Sequence, residues 1–420
     1  MLNHQSIQTM DLDCGATLLV EENPSVGSAS LSWWLPTGTM HDLPIDRAAG
    51  CSILCASVLE RGAGGLGSRA FNDALDRLGV IRSVSVYASS TQVNASFREE
   101  VVESALPRII DLVRRPAFPE DGFEAVRNLC LQSIEGLVDD PVTLAGNHIR
   151  QLALPSPFHR HSYGDAESIR EVSLDDARAA WRSRARPGGS IIAAAGAVDA
   201  SRLADLLNSG LEGWTGAPPE SSPRSEPLGG DRHVQQDTAQ VHLEMALPAP
   251  QPATDEELPF LVATRILGGG ASSRLFESVR ERQGLCYDVH AIYSRSHIRS
   301  LCMIGAGTTP ERVEQTVSSI YEELDRLESD GVTGDEFDRV RMGLKTRLMM
   351  HGESTAARAQ ALAQDHQQRG RARTMSEVAG DIERLTHPAV DELVRRAMNA
   401  SWREDAVRVS VGPRSPFTGS

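Results

Sequence analysis

Apolar and polar residues alternate in two well-separated stretches, SVSVYASSTQVNASF (83–97) and HAIYSRSHIRSLCMIGAG (290–307). Both are bounded by turn-forming residues, and a period of two is that of half-buried strands. Each stretch is followed by two helical patterns. In the first half these are REEVVESALPRIIDLVRR and PEDGFEAVRNLCLQSIEG; in the second they are PERVEQTVSSIYEELDRLESDG and TGDEFDRVRMGLKTRLMM. Phe123 corresponds to Phe337 and Arg127 to Arg341 at one common offset. A repeat of this length is a duplicated domain rather than a solenoid. Consecutive strands without an intervening helix pair antiparallel. The pattern therefore predicts an α+β fold of two homologous domains, each a mostly antiparallel sheet with helices packed on one face.

Between the halves lies GWTGAPPESSPRSEPLGGDRHVQQD, rich in Pro, Ser and Gly and without apolar periodicity. It reads as a linker over 216–236, separating domains at 1–215 and 237–420. A length of 420 residues suits two cores. A formal net charge of -15 argues against general affinity for nucleic acid or anionic membranes. The N-terminal sequence has no basic segment followed by an apolar one, and no apolar run reaches membrane-spanning length, so a cytoplasmic location is expected. The six cysteines (14, 51, 55, 130, 286 and 302) fall in segments that read as helix or strand interiors, as reduced buried thiols do.

Four stretches, WWLPTGT, the helix from Ala48, FPEDGFEAVRNLCLQSIEG and LGGGASSRLFESVRERQGLCYDV, carry a resemblance together with the duplicated halves. The chain resembles the pitrilysin/insulinase metallopeptidases, the inverzincins, in the short two-domain form related to mitochondrial processing peptidase. The resemblance covers nearly the whole chain, and its most specific part is the Gly-rich stretch running into SSRLFESVRERQGLCY.

That family's signature is H-x-x-E-H on a helix, where histidines at i and i+4 grip zinc and the glutamate between them activates water. A further glutamate ligand comes from a later helix. Alignment of GCSILCASVLERG on the signature puts Ile53 and Ser57 at the histidine positions and Ala56 at the general base. The late ligand falls on Ser133, both by its spacing from Ser57 and by register through Phe123 and Arg127. An isoleucine and two hydroxyls make no zinc-competent set, so this chain is expected to bind no metal. Glu60 and Glu135 are expected to leave their helices in other directions. The pair His159 and His161 reads as part of a connecting loop.

In active relatives the second domain supplies an arginine and a tyrosine that hold the substrate backbone and support the oxyanion. The resemblance places them at Arg280 and Tyr287. Ser272 or Ser273 is expected to cap a helix running to about Gln283, which Gly284 ends, with Tyr287 on the strand beyond. Arginine and tyrosine donors suit a developing oxyanion. Taken alone, an arginine in a last helical turn and a tyrosine on a strand are ordinary structural residues. Gly268, Gly269 and Gly270 stand where a related noncatalytic subunit touches substrate.

The resemblance implies a catalytically silent, substrate-binding subunit of a heterodimeric zinc metallopeptidase. Its partner would be a homologous catalytic chain with intact H-x-x-E-H that carries the zinc, and a peptide would be the substrate; alone, the chain could form a homodimer. The alternative is a non-enzymatic dimerisation scaffold of the same fold, which has no reason to keep both Arg280 and Tyr287.

Overall fold

The computed structural model describes residues 6–42, 50–161, 163–218, 222 and 225–417. Among these the strands are β1 (Ile7–Asp11), β2 (Thr17–Glu22), β3 (Ser28–Leu35), β4 (Gly62–Ala63), β5 (Leu66–Gly67), β6 (Ile81–Val86), β7 (Thr91–Arg98), β8 (Ile191–Gly196), β9 (Asp231–Gln235), β10 (Val241–Pro248), β11 (Cys286–Ser294), β12 (Leu301–Thr308) and β13 (Val407–Gly412). β4 and β5 form a short hairpin. The others make a six-stranded sheet, in the order β1-β2-β8-β3-β7-β6, and a five-stranded sheet, β11-β12-β10-β13-β9. Only β2 with β8 and β13 with β9 run parallel among the pairs. The fold is α+β, as the strand pattern requires.

The two alternating stretches are the hairpins β6–β7 and β11–β12. Each leads into two helices: Val102–Arg114 and Glu120–Val138 in the first case, Val313–Asp330 and Gly334–Gly352 in the second. The repeat reaches side-chain detail. The Arg127 guanidinium lies 4.9 Å from the centre of the Phe123 ring, and that of Arg341 lies 5.0 Å from the centre of Phe337. Both rings are buried. Each ring anchors its helix in the core while its face accepts a cation one helical turn away.

The chain forms two compact units that do not follow its halves. One is drawn from residues up to 136, 160–222 and 349–378; the other from 137–159, 223–348 and residues from 379 onward. Each unit thus takes one helix from the opposite half of the sequence. In the first unit, alternate residues of the sheet face opposite ways. Leu18, Val20, Trp33 and Ile192 enter the main core, whereas Leu19, Trp34, Ile191 and Ala193 pack against Leu362 and Ala363 of the helix Thr355–Arg369. Glu21, two residues beyond Leu19 and on the same face, is buried and receives the Arg358 Nε at 3.0 Å. Gly196 closes the same corner: a Cβ there would sit 2.3 Å from the Ser28 carbonyl oxygen and 2.8 Å from the Thr355 methyl. In the second unit the helix Pro141–Ala153 plays the matching part. Its Ala145, Ile149 and Leu152 pack on Ala246, Val409 and Val411.

The span read as linker ends in a strand, because β9 pairs with β13 from Asp231 to Gln235. Residues 219–221 and 223–224 of that span lie outside the described residues. No helix is long and apolar enough to cross a membrane among the described residues. All six cysteines are free thiols, buried except for the half-buried Cys14.

Candidate functional site

The helix Cys51–Leu59 is held at its N-terminus by a buried carboxylate. Asp42 accepts from the backbone amides of Gly50 (2.9 Å) and Ser52 (3.0 Å) and from the Ser52 hydroxyl (2.6 Å), and Arg184 Nη1 lies 3.3 Å away. Burial pushes the Asp42 carboxyl upward, against the pull of these hydrogen bonds. Beside it, His41 accepts from the Gly38 amide through Nδ1 at 3.1 Å. Burial, then the Arg184 charge, pulls this imidazole down to about 4, so it is neutral at physiological pH. The expected helix start at Ala48 lies outside the described residues.

Cys51, Leu54, Cys55 and Val58 of this helix enter the core. Its remaining face opens on a pocket lined by Ile53, Ala56, Ser57, Glu60, Cys130 and Ser133. The four positions aligned from the sequence, on two separate helices, therefore meet in one place. Glu60 also belongs to this lining, contrary to the expectation that its side chain turns elsewhere; it is the residue at which the helix ends, where the winding relaxes. Cys130 was missed from sequence, although it precedes Ser133 by three residues on the same helical face. Burial pushes the Cys130 thiol above its ordinary range, while the neighbouring Ser57 side chain pulls it the other way. The Ser133 hydroxyl donates to the Leu129 carbonyl of its own helix at 2.9 Å. His161 stacks near Tyr163, with ring centres 5.4 Å apart.

The second group of sequence-derived residues lies in the other unit. The backbone from Phe276 to Arg282 is wound as a π-helical turn, with the Gln283 amide bonded to the Ser278 carbonyl. This wider winding replaces the α-helix expected there. Nor does Ser273 cap by its side chain, since its hydroxyl donates to the Gly270 carbonyl at 2.6 Å. Gly284 ends the turn with φ +60°, and β11 follows. Such turns occur mostly as single insertions, frequently at functional sites. The result brings Arg280 and Tyr287 together: the guanidinium carbon lies 4.5 Å from the Phe276 ring centre and 5.3 Å from that of Tyr287. Tyr287 is 77% exposed. Its hydroxyl has no hydrogen-bond partner among the described residues.

The three glycines divide. Gly268 is buried at the end of the helix Glu257–Gly268, where a Cβ would lie 2.3 Å from the Ala291 amide nitrogen; close packing against β11 demands glycine. Gly269 and Gly270 are exposed and border an open groove.

The model for the peptidase M16 inactive domain matches residues 171–344. Similarity to known proteins extends beyond that segment. The chain is 24% identical over 398 residues to an uncharacterized zinc protease, YmxG, of Bacillus subtilis, an alignment covering 92% of this chain and 95% of that protein. It is 23% identical over 342 residues to a non-peptidase homolog, YmxG, of Helicobacter pylori, covering 77% and 78% of the two chains. The solved structure of a peptidase M16 inactive domain from Pseudomonas fluorescens shares the fold, with a TM-score of 0.87, 23% identity and 98% coverage of both chains.

At the pocket lined by Ile53, Ala56, Ser57 and Ser133 the donor set does not fit zinc. Ile53 and Ala56 offer no donor, Ser57 and Ser133 offer only neutral hydroxyls, the latter already bonded to the Leu129 carbonyl, and a buried thiol of raised pKa is not a thiolate ligand. Among the described residues no three His, Cys, Asp or Glu side chains gather as a ligand set. Purified chain dialysed against a weak chelator is expected to retain no stoichiometric zinc by atomic absorption. The combined Ile53→His, Ala56→Glu, Ser57→His and Ser133→Glu variant is expected to take up about one ion per chain without turnover, because the groups that orient the imidazoles are not in place. A folded fourfold variant that binds no zinc would refute this alignment.

Proposed function

We propose that this chain is the catalytically silent, substrate-binding subunit of a zinc metallopeptidase, completing the site of a homologous partner that carries H-x-x-E-H. The observation that supports this most is the state of Arg280 and Tyr287. A tyrosine kept for packing would be buried; this one is exposed, stacked on an arginine and open at its hydroxyl. The two side chains offer donors of fixed direction to a carbonyl oxygen that gains charge as water attacks. The cavity at Ile53, Ala56, Ser57 and Ser133 supports the silent half of the reading, as does the likeness to a relative named a non-peptidase homolog.

In this reading the partner supplies zinc-activated water and this chain supplies recognition. Its Arg280 guanidinium, braced by Phe276 and Tyr287, orients the peptide backbone. The test is reconstitution with the candidate zinc-bearing chain. Each chain alone should hydrolyse a fluorogenic peptide library at background rate, and the mixture should form a 1:1 complex with turnover raised about a hundredfold or more. Full activity in the zinc-bearing chain alone would leave this chain a scaffold.

A further inference from the structure

An open groove in the second unit lies between the end of the helix Glu257–Gly268 and one face of the helix Gly334–Gly352. Three arginines line it: Arg265 from the first helix, Arg339 and Arg347 from the second. Arg339 and Arg347 are two helical turns apart, on the same face. Neither has a carboxylate partner among the described residues. Arg265 is half-buried, and its Nε is fully enclosed without a hydrogen-bond acceptor. Burial and then the charge of Arg347 pull its pKa down, so the two guanidinium groups repel across a partly desolvated space. Glu336, the acid in the lining, is already engaged: it binds Arg274 bidentately at 2.7 and 2.8 Å and accepts from the Thr333 amide at 2.8 Å. The groove therefore holds uncompensated positive charge in a chain whose formal net charge is -15.

We propose that this groove binds a carboxylate of an acidic peptide. Guanidinium groups match a carboxylate by paired N–H···O bonds, and an anion here would relieve the repulsion between Arg265 and Arg347. Ile266, Val340 and Leu344 add apolar wall beside the charges, which suits the stem of a glutamate. The exposed backbone at Gly270, where a Cβ would meet nothing within 4 Å, leaves room for a peptide main chain. An extended polyanion such as nucleic acid is disfavoured by the repulsion of the overall field. The proposal deepens the peptidase reading by naming acidic peptides as its substrate class, and rests on that reading for the word substrate.

Fluorescence anisotropy on the chain alone, without a partner, tests it. The probe is a fluorescein-labelled peptide with two glutamates in an alanine and glycine background, compared with its glutamine twin. The glutamate peptide should bind about tenfold or more tightly than its twin, and added salt should erode the difference. Arg339→Gln with Arg347→Gln should abolish the preference at unchanged melting temperature, and Arg339→Lys with Arg347→Lys should restore part of it. Equal binding of the two peptides, or an undiminished preference in the glutamine variant, would overturn the proposal. Inorganic phosphate displacing the probe with an affinity equal to the peptide's own would overturn it in favour of a free-oxyanion site. Loss of the charge preference removes this site alone, whereas failed reconstitution of turnover removes the peptidase reading alone.

Discussion

Arg280→Ala, mixed with the wild-type zinc-bearing partner, is expected to leave the complex assembled and its metal bound while lowering turnover about a hundredfold. Loss of one donor to a developing oxyanion costs on the order of 3 kcal/mol, which sets that figure. Tyr287→Phe should show a similar fall. It keeps the ring against the guanidinium and removes only the hydroxyl, so packing is preserved and the change reads the hydrogen bond itself. Because Tyr287 is exposed, its replacement should hardly move the melting temperature. Turnover, partner affinity and melting measured on the same samples separate the two roles. Unchanged turnover in both variants with intact assembly would reduce the pair to surface residues.

Arg358→Met is expected to destabilise the first unit by about 3–5 kcal/mol, the cost of leaving one member of a buried ion pair without its partner. Both side chains are enclosed, at 8% and 4% exposure, so solvent screens little of the effect. The double variant Glu21→Leu with Arg358→Met removes both charges from the same apolar setting and should recover most of the loss. Urea unfolding followed by tryptophan fluorescence measures this, since Trp34 packs in the same cluster. A single variant that unfolds at the wild-type midpoint would show that the pair contributes nothing.

The duplication was legible because each repeat keeps a phenylalanine and an arginine in helical register, a spacing that the cation–ring contacts turn into structure. The meeting of Ile53, Ala56 and Ser57 with Ser133 was legible for the same reason, through helical faces whose phase the sequence carries. Exchange of helices between the halves was not. Apolar periodicity in TAARAQALAQDHQQR marks a face to be buried, but nothing local says which sheet will cover it. The π-helical turn was hidden too, since one extra residue in a winding changes hydrogen-bond partners without changing composition. Glu60 escaped because direction at a helix end depends on how the chain leaves it.

The borrowed helix also bears on the order of events during synthesis. Glu21 and Arg358 are separated by 337 positions in the chain. At roughly 5–20 residues per second, the carboxylate of β2 waits on the order of tens of seconds for its cation to be made. Through that interval the outer face of the first sheet, with Leu19 and Trp34, has no native cover. The first unit therefore cannot close as it leaves the ribosome. Completion must await the helix Thr355–Arg369, and termination before it would leave a sticky, uncovered sheet rather than a finished domain.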